Sequence, residues 1–417
     1  MENKILDVTK KMNNLLKGQK VLVACSTGID STVLLDLCLN SKAISKIVVA
    51  HVNHQKRQAA DLEEAYIKEF CEKNNISCYT LKLPKEVEGN FQEWARIKRY
   101  DFFNEIMKKE SLNYLLTAHH ADDNLETILM RFIKGSSLKG YAGILEQTYE
   151  NGYNIYRPLL SLTKEDIKEY AVIKNLKYFE DASNREDDYT RNRIRKYIVP
   201  LLLKENPSLY QAVGIYANTL LETSLMLEQQ INNFVKKEVI VNNNIISFPI
   251  KSFLQETEFF QTELLFSLLK PYALATTCIK EIIKKITSSK SMIVSDINND
   301  LVLIKEYGMI NLVPKKEMPS PFFLKIEQDG VYKLPNNQEF IVDKNICYLG
   351  PKKEDLWYNI PELPIIVRTR KAGDSLHFSG GTKTISNYLT DKKVSQINRM
   401  KILLICDKDD KPLYMIK

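Results

Sequence analysis

The chain reads as an α/β protein, with a first half built on a parallel sheet covered by helices on both faces, then a helical domain and a small β-rich C-terminal domain. Three observations predict this. From Lys20 to Ser137, short β-branched apolar runs alternate with longer helical patterns; beyond Pro207, apolar residues recur at sevenfold spacing; from about Leu301, short strand-like runs are separated by turn residues. Near-continuous apolar strands joined through helices are the mark of a parallel sheet, because both faces of each strand are buried. Expected boundaries are 1–206, 207–314 and 315–417.

The first strands are VLVA at Val21–Ala24, IVVAHV at Ile47–Val52, CYTLKL at Cys78–Leu83 and YLLTAH at Tyr114–His119, with a helix at Thr32–Leu39 after the first. In such sheets ligands bind beyond the carboxyl ends of the strands, so the residues following each strand are the informative ones. The later helical pattern carries Leu220, Leu227 and Phe234, with Ala217 and Ile231 between them. The strand-like runs LVLI, INLV, VYKL, FIV, IIVR, ILLIC and LYMI follow, broken by Gly, Pro and Asn-Asp.

Bulk properties bound the function. The chain has 417 residues, more than one ordinary domain holds, and 44% are hydrophobic. With 59 Lys+Arg against 52 Asp+Glu, the net charge of +7 permits a nucleic-acid partner without arguing for one. The opening MENKILDVTKKMNNLLKGQK lacks the apolar core of a signal peptide, and no run reaches the roughly 18 apolar residues of a membrane span. A cytoplasmic protein with no membrane partner is expected. Seven scattered cysteines contain no C-x-x-C pair for zinc, redox work or an iron–sulfur cluster, so reduced and mostly buried thiols are expected.

The first strand runs into Cys25-Ser26-Thr27-Gly28-Ile29-Asp30-Ser31 and then a helix. Unpaired amides and the positive end of a helix dipole favour phosphate there; Gly28 permits close approach and Ser26 and Ser31 add hydroxyls. For a lone hydroxyl-rich turn, ordinary capping by Ser or Asp, which needs no ligand, is the simpler explanation. Asp30 would repel phosphate unless a cation intervened, which Mg²⁺ bridging to a pyrophosphate would supply. The string S-x-G-x-D-S resembles the pyrophosphate loop of the ATP pyrophosphatase superfamily, with Thr27 where that family usually has glycine. A positive φ there would strain a threonine. No G-x-x-x-x-G-K-[ST] loop occurs at this strand, so γ-phosphoryl transfer is not expected.

After the second strand comes His51-Val52-Asn53-His54, and after the fourth Thr117-Ala118-His119-His120-Ala121-Asp122-Asp123-Asn124-Leu125-Glu126-Thr127. These histidines lack the i, i+4 helical spacing of zincins. Asp123 and Glu126, three apart at a helix start, can face one spot and attract a cation, or can merely compensate the helix dipole. Arg131 falls at the basic end of the same helix.

These strings, with Glu93-Trp94-Ala95-Arg96, Tyr156-Arg157-Pro158-Leu159-Leu160, Asp181-Ala182-Ser183-Asn184 and Arg191-Asn192-Arg193-Ile194-Arg195, resemble the tRNA(Ile)-lysidine synthetase family, over about Val21 to Pro200. The resemblance implies a Rossmann-like nucleotide-binding domain that uses ATP and Mg²⁺ to join free L-lysine to the wobble cytidine of tRNA(Ile) with a CAU anticodon, through an adenylated base. It places the nucleotide on Ser26, Thr27, Gly28, Ile29, Asp30, Ser31 and His51, with the metal on Asp30. It associates the acidic pair with lysine, assigns chemistry to Asp30, Asp123, Glu126 and Arg191, and adds Arg96, Arg131 and Arg195 as substrate contacts. Arg191 and Arg195 suit the α-phosphate, the lysine carboxylate or tRNA phosphate.

The segment Arg368-Thr369-Arg370-Lys371-Ala372-Gly373-Asp374, with Lys383, Lys392, Lys393, Arg399 and Lys401, reads either as a tRNA-binding surface or as an ordinary charged face. Other members of the superfamily, such as a tRNA thiolase or an amide-forming synthetase, and a tRNA-binding protein without catalysis, are the alternatives. A homodimer is left open.

Overall fold

A computed structural model describes residues 2–55, 59–84, 91–179, 190–335, 337–350, 357–378 and 381–416. It divides into two compact units, Met1–Met226 and Leu227–Lys417. The division falls inside one long helix rather than at the expected 206/207 boundary.

In the first unit, β1 (Lys20–Ala24), β2 (Lys46–Asn53), β3 (Ser77–Lys82), β4 (Tyr114–Leu116), β5 (Gln147–Glu150) and β6 (Tyr153–Tyr156) form one sheet in the order β3-β2-β1-β4-β6-β5. All neighbours are parallel except β5 with β6. The helices are α1 (Glu2–Leu15), α2 (Ile29–Leu39), α3 (Ala59–Lys73), α4 (Phe91–Lys109), α5 (Ala121–Lys134), α6 (Leu138–Tyr141) and α7 (Lys164–Ile173). The four expected parallel strands are present, the fourth stopping at Leu116, and α2 starts three residues before the expected Thr32.

Two clusters bury the two faces of the sheet. Val21 and Val23 pack with Met12, Val33, Leu37 and Leu159 on one side, while Leu22 packs with Phe103, Ile106 and Leu115 on the other. This alternation is why β1 reads as continuously apolar. The strand order reverses between β1 and β4, so the segments after these strands open a crevice at the carboxyl edge.

A third element pins the crevice. α8 (Thr190–Arg193) passes through a π-helical turn at Ile194–Ile198 into α9 (Val199–Glu205), and α10 (Leu209–Glu238) follows. The Val199 amide reaches back to the Ile194 carbonyl. Pro200 has no N–H to continue the α-helical ladder, and such wider turns re-aim side chains. Leu125 of α5, Ile194 and Val199 form a small core with Leu209 and Val213 packed on it, so the arginines of α8 and the π turn are held over α5.

In the second unit, helices Ile250–Gln255, Glu258–Leu268 and Thr276–Thr287 share a core with a five-stranded antiparallel sheet that includes Leu301–Glu306 and Met309–Pro314. The region expected to be helical is therefore a helix-and-sheet layer, and the runs LVLI and INLV belong to it. A four-stranded sheet containing Phe323–Ile326, Ile365–Thr369, Leu403–Cys406 and Pro412–Ile416 and another through Gly330–Lys333 enclose Ile326, Phe340, Val367 and Ile405. All seven cysteines are free, and five are buried. No helix among the described residues is long and apolar enough to cross a membrane.

Candidate active site

The loop after β1 is held from below. The Cys25 amide donates to the Ala50 carbonyl of β2 at 2.9 Å, and His51 Nδ1 donates to the Cys25 carbonyl at 2.9 Å. Burial drives the His51 pKa below its ordinary value, which keeps the ring neutral. His51, expected among nucleotide contacts, is 2% exposed beneath the loop and so positions it from behind. Above it, the Ser31 hydroxyl accepts from the Ser26 amide at 3.1 Å and lies 3.2 Å from the Ser26 hydroxyl.

Thr27 has φ +64°, the strained left-handed conformation. Its side chain is buried, with the hydroxyl donating to the Ser26 carbonyl at 2.5 Å and lying 3.4 Å from Glu63 Oε2. Thr27 thus shapes the backbone and turns its side chain inward. Gly28, at φ −70° as N-cap of α2, needs no glycine for its conformation; it keeps the approach to the helix terminus open. Ile29 packs its side chain against the core, leaving its backbone to the loop.

Asp30 is paired with a residue that no nearby sequence signal marks. Lys164, the first residue of α7, places Nζ 2.6 and 2.7 Å from the two carboxylate oxygens. Thr163 and Asp166 cap α7 reciprocally, and Tyr170 donates from α7 to Asp36 of α2 at 2.8 Å, which fixes the two helices side by side. His120, 4% exposed, lies 3.3 Å from Asp122, 3.5 Å from Asp123 and 3.9 Å from Asp30. Burial disfavours its cation, but these carboxylates outweigh it and raise the pKa. Asp122 also accepts from the Lys164 amide at 2.8 Å and the Tyr210 hydroxyl at 2.6 Å. Burial opposes its ionisation, yet these donors and His120 hold its pKa at about 2.

On α5, Asp123 caps the helix by accepting from the His120 amide at 3.1 Å. Glu126 is 1% exposed and takes a two-pronged contact from Arg195, at 2.6 and 3.0 Å, with Arg191 Nε 3.6 Å away. Burial raises the Glu126 pKa despite the guanidinium groups. Arg195 reaches Asp123 at 3.7 Å, and Arg191 donates to Thr127 at 3.1 Å. The acidic pair is therefore bracketed by two arginines. His119 lies 3.0 Å from the Thr117 hydroxyl, and burial drives its pKa down to about 4.

Part of this cluster lines one cavity of about 370 Å³, whose wall includes Ser26, Asp30, Ser31, His119, Asp123 and Arg191, with Arg96 stacked on Tyr100 at 4.9 Å. Arg131 departs from its expected role as a substrate contact. It lies at the far end of α5, where its guanidinium donates to the carbonyls of Gly140 and, at 2.7 Å, Gly143, stapling the turn after the helix. The string Asp181–Asn184 lies outside the described residues. The sequence assigns no role to Lys164, His120, Asp122 or Tyr210, although His120 and Asp122 stand in the segment after the fourth strand; for Lys164 the T-x-x-D capping pattern at Thr163–Asp166 flags the helix that delivers it.

Mg²⁺ is the ion that this loop chemistry implies. Asp30 fits it as a single, partly exposed carboxylate beside the amides of the loop, and among the described residues no cluster of three or more His, Cys, Asp or Glu forms a cage. Magnesium commonly binds through one or two carboxylates and substrate phosphates rather than in an all-protein cage.

In the second unit the basic C-terminal segment divides. Arg368 is 2% exposed and held by Asp374 at 2.9 Å and by Asp410; Arg399 is 3% exposed and donates to the Val394 carbonyl and the Tyr307 hydroxyl. Both are buried in the fold and so belong neither to a tRNA-binding surface nor to an ordinary charged face. Lys371 and Lys383 pair with Asp410 and Asp391. Lys392, Lys393 and Lys401 are exposed.

Fold and loop together define an ATP-using PP-loop domain, and the PP-loop domain family model matches residues 1–202. The chain is 31% identical to the tRNA(Ile)-lysidine synthase of Bacillus cereus over 97% of its own length and 89% of that protein. It is also 31% identical to the bifunctional protein TilS/HprT of Listeria monocytogenes, over 99% of this chain and 67% of that protein, so it spans about two thirds of those bifunctional relatives. A tRNA thiolase from Methanococcus maripaludis matches at 18% identity and a TM-score of 0.44, over 53% of this chain and 81% of the thiolase. The chain belongs to the tRNA(Ile)-lysidine synthase family.

Proposed function

We propose that this chain joins free L-lysine to C2 of the wobble cytidine of tRNA(Ile) with a CAU anticodon, in the cytoplasm, changing its codon from AUG to AUA and its amino-acid identity from methionine to isoleucine. In the first step the cytosine O2 attacks the α-phosphorus of ATP, the bond to the bridging oxygen breaks, and pyrophosphate leaves. In the second, the lysine ε-amine attacks C2, AMP leaves with the former O2, and the amine loses its protons to solvent or a carboxylate. The observation that carries this reading is one cavity whose wall joins the Ser26–Ser31 loop to Asp123, Arg96 and Arg191, charges suited to an amino-acid zwitterion.

Ser26, Ser31 and the amides at the start of α2 are placed to receive the leaving pyrophosphate, stabilising charge where it develops. Mg²⁺ held on Asp30 would neutralise part of that charge. Asp123, on the cavity wall, suits an ammonium group. Glu126 is sealed beneath the arginines, so its role is to fix Arg195 and Arg191 toward a carboxylate or phosphate. Residues 207–314 and 315–417 are proposed to grip tRNA away from the anticodon, since one base must be singled out within a folded RNA.

The test is ATP–pyrophosphate exchange. Exchange that requires the tRNA but not lysine, together with AMP release that requires both, supports the reading. Exchange without tRNA, or AMP release indifferent to lysine, overturns it.

A further inference from the structure

The loop carboxylate is neutralised by a lysine from a different helix, and the arrangement is costly unless that lysine has a second use. Lys164 is the first residue of α7, where the helix dipole disfavours a cation, and acids fill the rest of that turn as Glu165 and Asp166. Its pairing with Asp30 brings little stability, since the side chains are 34% and 29% exposed and such contacts are worth about 0–1 kcal/mol. The ammonium is carried on a flexible stem and meets Asp30, which lines the same cavity as Ser26 and Ser31. The backbone around it is, by contrast, rigid. The Lys164 amide is held by Asp122, which is itself held by Tyr210, while Tyr170 ties α7 to α2. The side chain therefore moves from a fixed origin.

We propose that Lys164 is a substrate-contacting residue that exchanges partners: it occupies Asp30 before ATP binds and donates to the leaving pyrophosphate once Mg²⁺ takes that carboxylate. This rests on the reading of the loop as a pyrophosphate site and deepens it. Two cations cannot share Asp30 without repulsion, and the nearest concentration of negative charge is then the phosphate chain bound at the α2 terminus. The lysine arrives there already at close range and without loss of its ammonium proton, so it stabilises the charge that develops as the bridging oxygen departs. No covalent bond to Lys164 forms or breaks. His120 stays in place between Asp30, Asp122 and Asp123 and keeps the carboxylates apart.

The test is calorimetric binding of inorganic pyrophosphate with Mg²⁺, and separately of AMP, to the full chain and to Lys164→Gln and Lys164→Arg. Lys164→Gln is expected to weaken pyrophosphate at least tenfold with AMP changed less than twofold, and Lys164→Arg to stay within threefold on both. Thermal unfolding checks that each variant folds; if the glutamine variant does not, Lys164→Met removes the same charge and carries the same expectation. Equal pyrophosphate affinity in the folded glutamine variant overturns the proposal. So does tighter binding, which would make Lys164 a mere competitor for Asp30, and so does loss of pyrophosphate affinity in a folded Lys164→Arg. If the unsubstituted chain itself does not bind pyrophosphate, it is the loop reading that fails.

Discussion

Replacing Arg195 with Gln strands the most deeply buried carboxylate of the site. Glu126 is 1% exposed and receives both its close contacts, 2.6 and 3.0 Å, from Arg195. Removing one partner of a buried pair typically costs about 3–5 kcal/mol, because a charge is left unpaired. Two features reduce this: Arg195 is itself 40% exposed, and Arg191 remains 3.6 Å away. A loss of about 2 kcal/mol is expected for Arg195→Gln. The double variant Glu126→Gln/Arg195→Gln should recover roughly 1 kcal/mol of it, since the stranded charge is gone. Burial already raises the Glu126 pKa, and losing Arg195 raises it further. The folded state then binds more protons than the unfolded chain at mildly acid pH, so the deficit of Arg195→Gln should shrink as pH falls from 7 toward 5. Trp94 lies in the first unit, so in a Trp357→Phe background its fluorescence during urea unfolding reports that unit alone. A loss below about 0.5 kcal/mol, or a double variant no more stable than the single one, would refute the reasoning.

Asp30→Ala is expected to abolish ATP–pyrophosphate exchange while tRNA binding in a filter assay stays within about twofold; exchange at the unsubstituted rate would remove Asp30 from the chemistry. His119 has an ordinary pKa of 6.5 and a folded value of about 4, so its neutral form supports folding above pH 6.5 and that support is lost as pH falls through 4. At about 1.4 kcal/mol per tenfold this is worth at most roughly 3.5 kcal/mol. His119→Asn should flatten the acid side of the stability curve, whereas parallel curves would contradict the burial argument. His120, raised by its carboxylates, works in the opposite sense and loses its contribution as pH rises. For the C-terminal segment, substitution of Lys392, Lys393 and Lys401 by Gln is the appropriate test, because truncation at Pro364 would remove three strands of a four-stranded sheet. If all three meet tRNA phosphates, the logarithmic salt slope should fall by up to about 2.7; an unchanged slope assigns tRNA recognition elsewhere.

The parts of the site that share a strand end were legible in the sequence, and those that meet across the fold were not. Ser26, Asp30 and Asp123 follow apolar strands that could only be parallel, and the crevice between β1 and β4 follows from that. The strain at Thr27 was likewise foreseeable from a residue that replaces glycine. Lys164 could not be foreseen, because it stands 134 positions from Asp30 and its nearness depends on α7 packing beside α2. Arg131 misled because its sequence neighbourhood is that of the site, while its side chain turns to the carbonyls that follow α5. The strand pair at Ile240–Asn242 and Ile245–Pro249 escaped notice inside a region read as helical, although Asn243 and Asn244, both at positive φ, form the kind of turn that joins hairpins.

The most direct test is mass spectrometry of nuclease-digested tRNA(Ile) after incubation of the chain with ATP, Mg²⁺ and lysine. The expected result is a cytidine heavier by lysine minus water, formed only when ATP and lysine are both present. A sulfur-containing nucleoside, or unmodified cytidine alongside AMP release, would contradict the assignment.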